Sequence, residues 1–344
     1  MSVFRNKKIW ISLIFIVGLL IISLFFEGNG RQITTQTGGN GALLGSAPFS
    51  PAQVPPFGTD QLGFNLLDLM LKGAKYTIGI AVIAALIRLV FSVVIGVGLT
   101  LFPKWVQNGV ARLVSPFYYL PVSLLTYILL VSVLFSNQSL QPSFTDTIRQ
   151  RIIFELLLLS FVGVPTLLVY FKDITSQLLL EEHIVAARVL GASPFSILRR
   201  HIWLGIKSRV IVQFVEQVIQ VLILLVHLGM FRLLFGGTII FTYPYNQKPP
   251  IYFSISSEWS GMIGSGYHEL TLYPWLAIDP LVAFAILIFA FSLLREGLKE
   301  TQGRLMATKN KQKRSRKKLI FEEKDVPIQS EDFQPSLRPI KEVG

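Results

Sequence analysis

Residues 76–102 read YTIGIAVIAALIRLVFSVVIGVGLTLF, and this stretch decides the fold class. Arg88 is the one charged residue within it. A helix needs about 20 mostly apolar residues to cross the hydrocarbon core of a bilayer. Only a structure that satisfies its own backbone hydrogen bonds can cross that core. The stretch therefore predicts a transmembrane helix.

Further apolar runs of similar length occur before and after this stretch. They are Ile9–Phe26, Pro116–Phe135, Ile152–Phe171, Val210–Leu228 and Trp275–Leu294. The first run has a cleaved signal peptide as its alternative interpretation. We favour a membrane anchor, because the run exceeds the 7–15 residues of a signal-peptide core and no clear cleavage site follows. The sequence thus predicts an all-α, polytopic membrane protein with six transmembrane helices.

The composition excludes several other classes of protein. Of 344 residues, 51% are hydrophobic and 15% are charged, whereas a soluble domain carries roughly 25% charged residues. A soluble cytosolic enzyme and a largely disordered chain are both excluded. Since the chain has no cysteine, disulfides, cysteine-based metal centres and a thiol nucleophile are excluded as well.

The net charge of +12 indicates an orientation in the membrane. With the N-terminus inside and six helices alternating, inner segments hold 24 Lys and Arg residues and outer segments hold 7. Cytoplasmic loops carry an excess of these residues. We therefore expect both termini in the cytoplasm.

This topology divides the chain into segments of different character. Residues 27–57 are rich in Gly, Thr, Gln, Pro and Ser, which is typical of a flexible extracytoplasmic linker, and a further segment at 58–75 precedes the next helix. The predicted segments are an N-terminal helix at 1–26, the linker at 27–75, a five-helix core at 76–294 with a cytoplasmic loop at 172–209 and an outer segment at 229–274, and a basic, partly disordered cytoplasmic tail at 295–344.

The tail contains seven basic residues within ten positions. They are Lys309, Lys311, Lys313, Arg314, Arg316, Lys317 and Lys318. Basic residues near a membrane helix attract anionic lipid headgroups by about 1 kcal/mol each. We expect lipid contact and no nucleic-acid binding; the alternative is a tail that only fixes topology and solubility.

A few polar residues lie inside the apolar runs, where ionisable groups are costly and usually face protein or water. They are Arg88, Gln213, Glu216, Gln217, Gln220 and His227. The last five recur at helical spacing. One interpretation is that they line a translocation path; the other is that they hydrogen-bond to neighbouring helices or subunits. A further hypothesis pairs Arg88 with Glu216.

The sequence has three separated stretches, at residues 56–75, 181–202 and 259–300, that together resemble one family, the permease subunits of ABC importers for dipeptides, oligopeptides and nickel. The first is PFGTDQLG at residues 56–63, continuing to KGAK at 72–75, which resembles the signature before the second helix in one member of the permease pair. The third comprises Trp259, PWLAI at 274–278 and FSLLREGLKE at 291–300, which is similar to the family's final segment. The matching signature residues are Gly58, Thr59, Asp60, Gly63 and Gly73.

The second stretch, EEHIVAARVLGAS at residues 181–193, resembles the cytoplasmic coupling loop of these importers. Small Ala side chains allow a partner surface to approach closely, and Gly191 permits a left-handed helix end. The resemblance implies that the loop docks on an ATPase subunit; a helix with no partner is the alternative. The expected coupling residues are Glu181, Glu182, Ala186, Ala187, Arg188, Gly191, Ala192, Ser193, Arg199 and Arg200.

The chain also departs from the family pattern. Val185 replaces the Glu before the Ala pair, Phe64-Asn65 replaces Arg-Asp, and Ile202-Trp203-Leu204 replaces Ile-Leu-Pro. Residues 229–257 are longer than the family's usual connection. These departures indicate a divergent branch and leave the transported solute open.

The resemblance implies a type I importer permease in the bacterial cytoplasmic membrane, moving peptides or a similar small solute by alternating access. Expected partners are a second permease, two ABC ATPase subunits, an extracytoplasmic solute-binding protein and anionic lipids. We expect no enzyme activity, no catalytic or metal-binding residues and no cofactor in this chain, because the phosphate-loop motif is absent and ATP and Mg belong to the ATPases. Alternatives are a non-transporting scaffold or sensor that docks an ATPase, and a transporter or channel without an ATPase.

Overall fold

The computed structural model describes residues 6–26, 32–37, 43–134, 148–233, 235–236, 238–241, 251–254 and 257–324. Within these residues the fold is almost entirely helical, with two short antiparallel hairpins. The helices are α1 (Lys7–Phe25), α2 (Leu66–Leu99), α3 (Lys104–Val114), α4 (Val122–Leu134), α5 (Ile148–Leu178), α6 (Glu182–Val189), α7 (Pro194–Ile197), α8 (Trp203–Met230), α9 (Trp259–Gly266) and α10 (Trp275–Lys324). The strands are β1 (Thr35–Thr37), β2 (Leu43–Ser46), β3 (Thr238–Phe241) and β4 (Ile251–Ser254).

Five of the described helices are long and apolar enough to span a membrane, namely α1, α2, α5, the helix containing α8, and α10. A sixth span is formed only if a bent pair, Lys104–Tyr118 with Val122–Val131, is counted as one. The two parts of this pair meet at 88°. The all-α, polytopic class predicted from the sequence is therefore confirmed.

The third apolar run differs from its prediction as a single helix over Pro116–Phe135. The structure has a 3-10 turn at Ser115–Tyr118 and begins the apolar helix α4 only at Val122. Pro116 and Pro121 enclose this break. A proline cannot donate a backbone hydrogen bond and disfavours helix in the residue before it, so the prolines explain the bend.

Helix α2 lies at the centre of the bundle and packs against α5 and α8. It begins ten residues earlier than predicted, because the Asn65 side chain accepts a hydrogen bond from the Leu67 amide and caps its first turn. Ala74, Ala81 and Ala84 are fully buried along α2. Their small side chains allow the neighbouring helices to approach closely.

The start of α1 and the middle of α10 meet on one side of the bundle. The Lys8 ammonium lies 2.7 Å from a Glu296 carboxylate oxygen and 2.6 Å from one of Glu300, and the Asn6 side chain donates to the Gly297 carbonyl. A Cβ on Gly297 would lie 2.7 Å from Ile9, so this glycine lets α1 and α10 touch. Residues 6–8 and 296–300 thus share a side of the membrane; that this side is cytoplasmic stays a prediction.

Three segments outside the predicted transmembrane helices have more structure than the sequence predicted. The expected linker at 27–75 contains the β1–β2 hairpin, and the outer segment at 229–274 contains the β3–β4 hairpin and α9. Helix α10 continues through the expected tail to Lys324. Lys, Arg and Glu are good helix formers, and no proline interrupts residues 281–324. The tail predicted to be disordered beyond this point, 325–344, lies outside the described residues.

Candidate functional site

A polar groove of about 530 Å³ opens between α5, α8 and α10. Helix α8 contributes four of its eight polar side chains, and all four were singled out in the sequence. The groove is lined by Thr166, Leu167, Tyr170, Val212, Gln213, Glu216, Gln217, Gln220, Arg295 and Lys299. We call this surface the polar groove.

The sequence of α8 places these groups together. Residues at steps of three and four lie on one helical face, so Gln213, Glu216, Gln217 and Gln220 share a side of the helix. The opposite side is buried against the rest of the bundle by Val215, Val218 and Leu222, among others. His227, predicted with this group, is exposed one heptad further on and is not among the residues that line the groove.

Glu216 forms an ion pair across the groove with Arg295 of α10. Their closest atoms are 2.6 Å apart, and both side chains are about one-quarter to one-third exposed. The hypothesis that Glu216 pairs with Arg88 is therefore wrong. Arg88 lies on α2, behind the wall of the groove, whereas Arg295 projects from the third helix that lines it.

Arg88 instead binds the backbone of α5. Its Nε and Nη2 atoms donate to the Leu159 carbonyl oxygen at 3.0 and 2.6 Å, and its Nη1 donates to Gln217 Oε1 at 3.4 Å. The side chain is only 1% exposed. Gly163 makes room for it, since a Cβ there would lie 2.6 Å from Arg88 Nε. The guanidinium thereby joins α2, α5 and α8 inside the membrane.

The predicted coupling loop folds as two short helices, α6 and α7, packed on the bundle. Ile184 of α6 is buried in one cluster with Ile197, Ile202 and Ile206. Gly191 ends α6 with φ +85°, the left-handed conformation expected for it. The Ser193 side chain then caps α7 by accepting from the Ser196 amide. The loop is therefore an ordered projection held by an apolar anchor.

The solvent-facing surface of this loop carries large exposed apolar side chains. Leu190 is 87% exposed and Phe195 is 70% exposed, and Leu180 and Val189 are exposed to a similar degree. Glu181, Glu182, Ala186, Arg188, Arg199 and Arg200 are exposed, and Ala187 and Ala192 are partly so. An exposed apolar patch with charged residues around it is typical of a protein interaction site.

The first and third family-like stretches interlock on the opposite side of the bundle from this loop. The Trp259 indole donates to the Met70 carbonyl at 2.7 Å, and its backbone amide donates to Thr77 Oγ1 at 3.1 Å. The Trp275 indole donates to the Thr59 carbonyl at 3.3 Å. Gly73 lies so close to the Ser257 carbonyl that a Cβ would collide with it.

The signature segment itself is a tight turn built by backbone contacts. Gly58 and Gly63 have φ of +76° and +86°. Buried Thr59 accepts from the Phe49 amide at 2.8 Å. Asp60 accepts from the amides of Leu62 and Phe64. Burial raises the pKa of the Asp60 carboxyl to about 6, although these amide hydrogen bonds act in the opposite direction. In this structure the signature residues hold the N-terminal end of α2 in place.

Two buried glutamates escaped the sequence analysis. Glu155 of α5 accepts from the Gly236 amide at 2.9 Å, and Glu258 accepts from the Phe235 amide at 3.1 Å. Both side chains are almost completely buried. Together they tie the segment after α8 to α5 and α9. Glu155 could have been selected from the sequence, because it is an ionisable residue inside an apolar run, as Arg88 is.

The remaining predicted site residues are the basic residues of the tail. The seven basic residues of the tail lie on α10, but their side chains fall outside the described part of the chain. Among the described residues, no group of three or more His, Asp or Glu side chains is placed to hold a metal ion.

Comparison with known proteins identifies distant relatives. No protein-family model matches the chain. It is 23% identical over 296 residues to the glutathione transport system permease protein GsiD of Escherichia coli O6:K15:H31, covering 86% of both chains. The proteins of the same name from Shigella boydii (23%, 86% of both chains) and Pectobacterium atrosepticum (22% over 250 residues, 73% of this chain and 72% of the relative) are similar.

These homologues are transporter subunits and not enzymes, and they are multi-pass proteins of the inner membrane. The described helices, five or six of which are able to span a membrane, agree with that placement. The interlocked signature stretches and the similarity over most of the chain lead to one conclusion: the chain is a distant homologue, at about 23% identity, of ABC importer permease subunits of the peptide/nickel class.

Proposed function

We propose that this subunit forms half of a translocation pathway for peptides or a similar small solute, and that the polar groove lines this half. The observation that carries the proposal is the groove itself. It places four polar residues of α8 opposite Arg295 and Lys299 at one cavity between three helices. Polar side chains at membrane depth are costly unless they face protein or water. A water-filled path between two permeases supplies that environment. The glutathione transported by the relatives' systems is a small peptide of this class.

We propose that the loop at residues 181–202 docks an ABC ATPase subunit. Its support is the exposed apolar surface formed by Leu180, Val189, Leu190 and Phe195 on an ordered projection. Burying large apolar side chains contributes about 1.5–3 kcal/mol each. The exposed arginines Arg188, Arg199 and Arg200 can pair with acidic groups of the partner. Closure of the ATPases would then move α8, which follows the loop directly in the chain.

The complete transporter we propose contains a second permease, two ATPase subunits and an extracytoplasmic solute-binding protein. ATP and Mg bind to the ATPases, and this chain holds no cofactor of its own. Leu62 in the signature turn and Tyr267 directly after α9 are exposed and belong to the outer surface available to the binding protein. The basic residues at 309–318 would lie near the cytoplasmic membrane surface and contact anionic headgroups.

The test is ATP-dependent uptake of radiolabelled glutathione by proteoliposomes that contain the transporter purified from its host. A Phe195→Glu variant should lose most ATPase binding and uptake, because a carboxylate would be buried in the apolar contact. The matched control is Leu272→Glu, an equally exposed leucine on the opposite side of the bundle, which should retain ATPase binding.

Each outcome separates the alternatives. Retained ATPase binding in Phe195→Glu would refute the docking surface. ATPase binding by the unmodified chain without uptake of glutathione or any di- or tripeptide tested would favour the non-transporting scaffold. Uptake that persists without ATP would favour an ATPase-independent transporter.

A further inference from the structure

The orientation of the Gln217 side chain is fixed by Arg88. Gln217 is 5% exposed and lies at the wall of the polar groove. Its Oε1 accepts from Arg88 Nη1 at 3.4 Å. A guanidinium has donors and no acceptor, so only the oxygen of a carboxamide can face it. The NH2 group of Gln217 is consequently left to the groove, where it presents hydrogen-bond donors.

The charges of the groove, like the donors of Gln217, favour a negatively charged ligand that accepts hydrogen bonds. Among the described residues that line it, Glu216 alone is acidic, whereas Arg295 and Lys299 are basic. Arg295 already neutralises Glu216 in an ion pair. The positive charge of Lys299 therefore stands in excess, and the guanidinium of Arg88 lies directly behind the wall. A cleft lined by one sign of charge concentrates ligands of the opposite sign.

From these two observations we propose that the polar groove receives the anionic, carboxylate-bearing part of the solute. Gln217 donates to a carboxylate oxygen, Lys299 supplies the compensating charge, and Arg88 is the positioning residue that sets the orientation of the amide. This inference rests on the proposed function, since it takes the polar groove as part of the pathway. It specifies the solute class as small carboxylic acids, including acidic peptides, and disfavours cationic solutes.

The absence of cysteine from the chain allows a direct measurement of the groove's potential. A Gln220→Cys variant places a thiol on the groove's lining, and a Gln177→Cys variant at the exposed end of α5 is the matched control. Both are treated, in membrane vesicles containing the assembled transporter, with anionic 2-sulfonatoethyl methanethiosulfonate or with cationic 2-(trimethylammonium)ethyl methanethiosulfonate. The modified chain is quantified by mass. Rates are divided by those of free 2-mercaptoethanol.

We expect the normalised anion-to-cation rate ratio at Gln220→Cys to exceed that at Gln177→Cys by roughly tenfold. Adding Lys299→Gln should lower the ratio about threefold or more, because it removes one positive charge from the groove. Adding Gln217→Glu should lower it similarly, since a carboxylate then replaces the donor. Lys299 is exposed, so its variant keeps the test usable if Gln217→Glu does not fold.

The outcomes distinguish this inference from the proposed pathway. If neither reagent modifies Gln220→Cys while both modify Gln177→Cys, the groove is closed to water. The proposed pathway and this inference are then both refuted. If both reagents react at Gln220→Cys but the ratio equals or falls below the control, the pathway stands and the carboxylate preference is refuted. A ratio that Lys299→Gln and Gln217→Glu leave unchanged also refutes it.

Discussion

Gly163→Ala tests the contact that joins three helices inside the membrane. Arg88 reaches the Leu159 carbonyl only because Gly163 has no side chain, and a Cβ there would lie 2.6 Å from Arg88 Nε. The neighbouring atoms leave the guanidinium little freedom to move, since it is 1% exposed. We expect the added methyl group to displace it from the Leu159 carbonyl and from Gln217.

The magnitude follows from the hydrogen bonds at risk. Arg88 makes three, each about 1.5–3 kcal/mol for a charged donor, and breaking a buried charge's contacts typically costs about 3–5 kcal/mol. Replacing a helical glycine by alanine returns up to about 1 kcal/mol. The expected net loss of stability is about 2–4 kcal/mol. For a chain of 344 residues this loss corresponds to a fall in Tm of about 3–6 °C.

The assay is thermal unfolding of the detergent-solubilised protein, with Gly79→Ala as the matched control. Gly79 lies inside α2, and no atom would come within 4 Å of a Cβ there, so that variant should be neutral or slightly stabilised. In an Arg88→Met background, Gly163→Ala should cost less than about 1 kcal/mol. Equal Tm values for Gly163→Ala and Gly79→Ala, or the same cost with and without Arg88, would refute the reasoning.

Three further predictions concern other parts of the chain. Gly191→Ala forces a side chain into φ +85° at a cost of about 1–2 kcal/mol, and ATPase affinity should fall at least about fivefold by pull-down titration, unlike that of Gly109→Ala. The raised pKa of Asp60, about 6, means that the folded state binds this proton more tightly than the unfolded state. Stability should therefore fall by at most about 3 kcal/mol as pH rises from 4 to 6, and Asp60→Asn should lessen the change in Tm over this range. Trp259→Phe removes the donor to the Met70 carbonyl and should cost about 1–3 kcal/mol; an unchanged Tm would contradict this contact.

The sequence was most informative where a single physical requirement governs the structure. The apolar runs located five helices and part of a sixth, because a chain inside hydrocarbon must hydrogen-bond to itself. The left-handed end of α6 at Gly191 was predicted for the same kind of reason, since few other residues adopt that conformation. The grouping of Gln213, Glu216, Gln217 and Gln220 also followed from helical spacing alone.

Helix boundaries were harder to predict from hydrophobicity. Asn65 begins α2 ten residues before the apolar run, and α10 continues to Lys324 well beyond the last apolar residue of its run. Hydropathy reports which residues the membrane would accept, whereas capping and helix propensity decide where a helix begins and ends. The prolines at 116 and 121 were visible in the sequence and explain where the helix breaks, but hydrophobicity alone predicted one straight span and not the 88° bend.

The partners of the buried charges were decided only by tertiary structure. The sequence determined that Arg88 and Glu216 lie at membrane depth, and that a charge there needs a partner. It could not determine that Arg88 would meet a backbone carbonyl of α5, or that Glu216 would meet Arg295 of α10. The depth of a charged residue in the membrane follows from its position along one helix. Its partner depends on how several helices are rotated and packed. That packing is set by contacts between residues distant in the chain, such as Gly163 against Arg88.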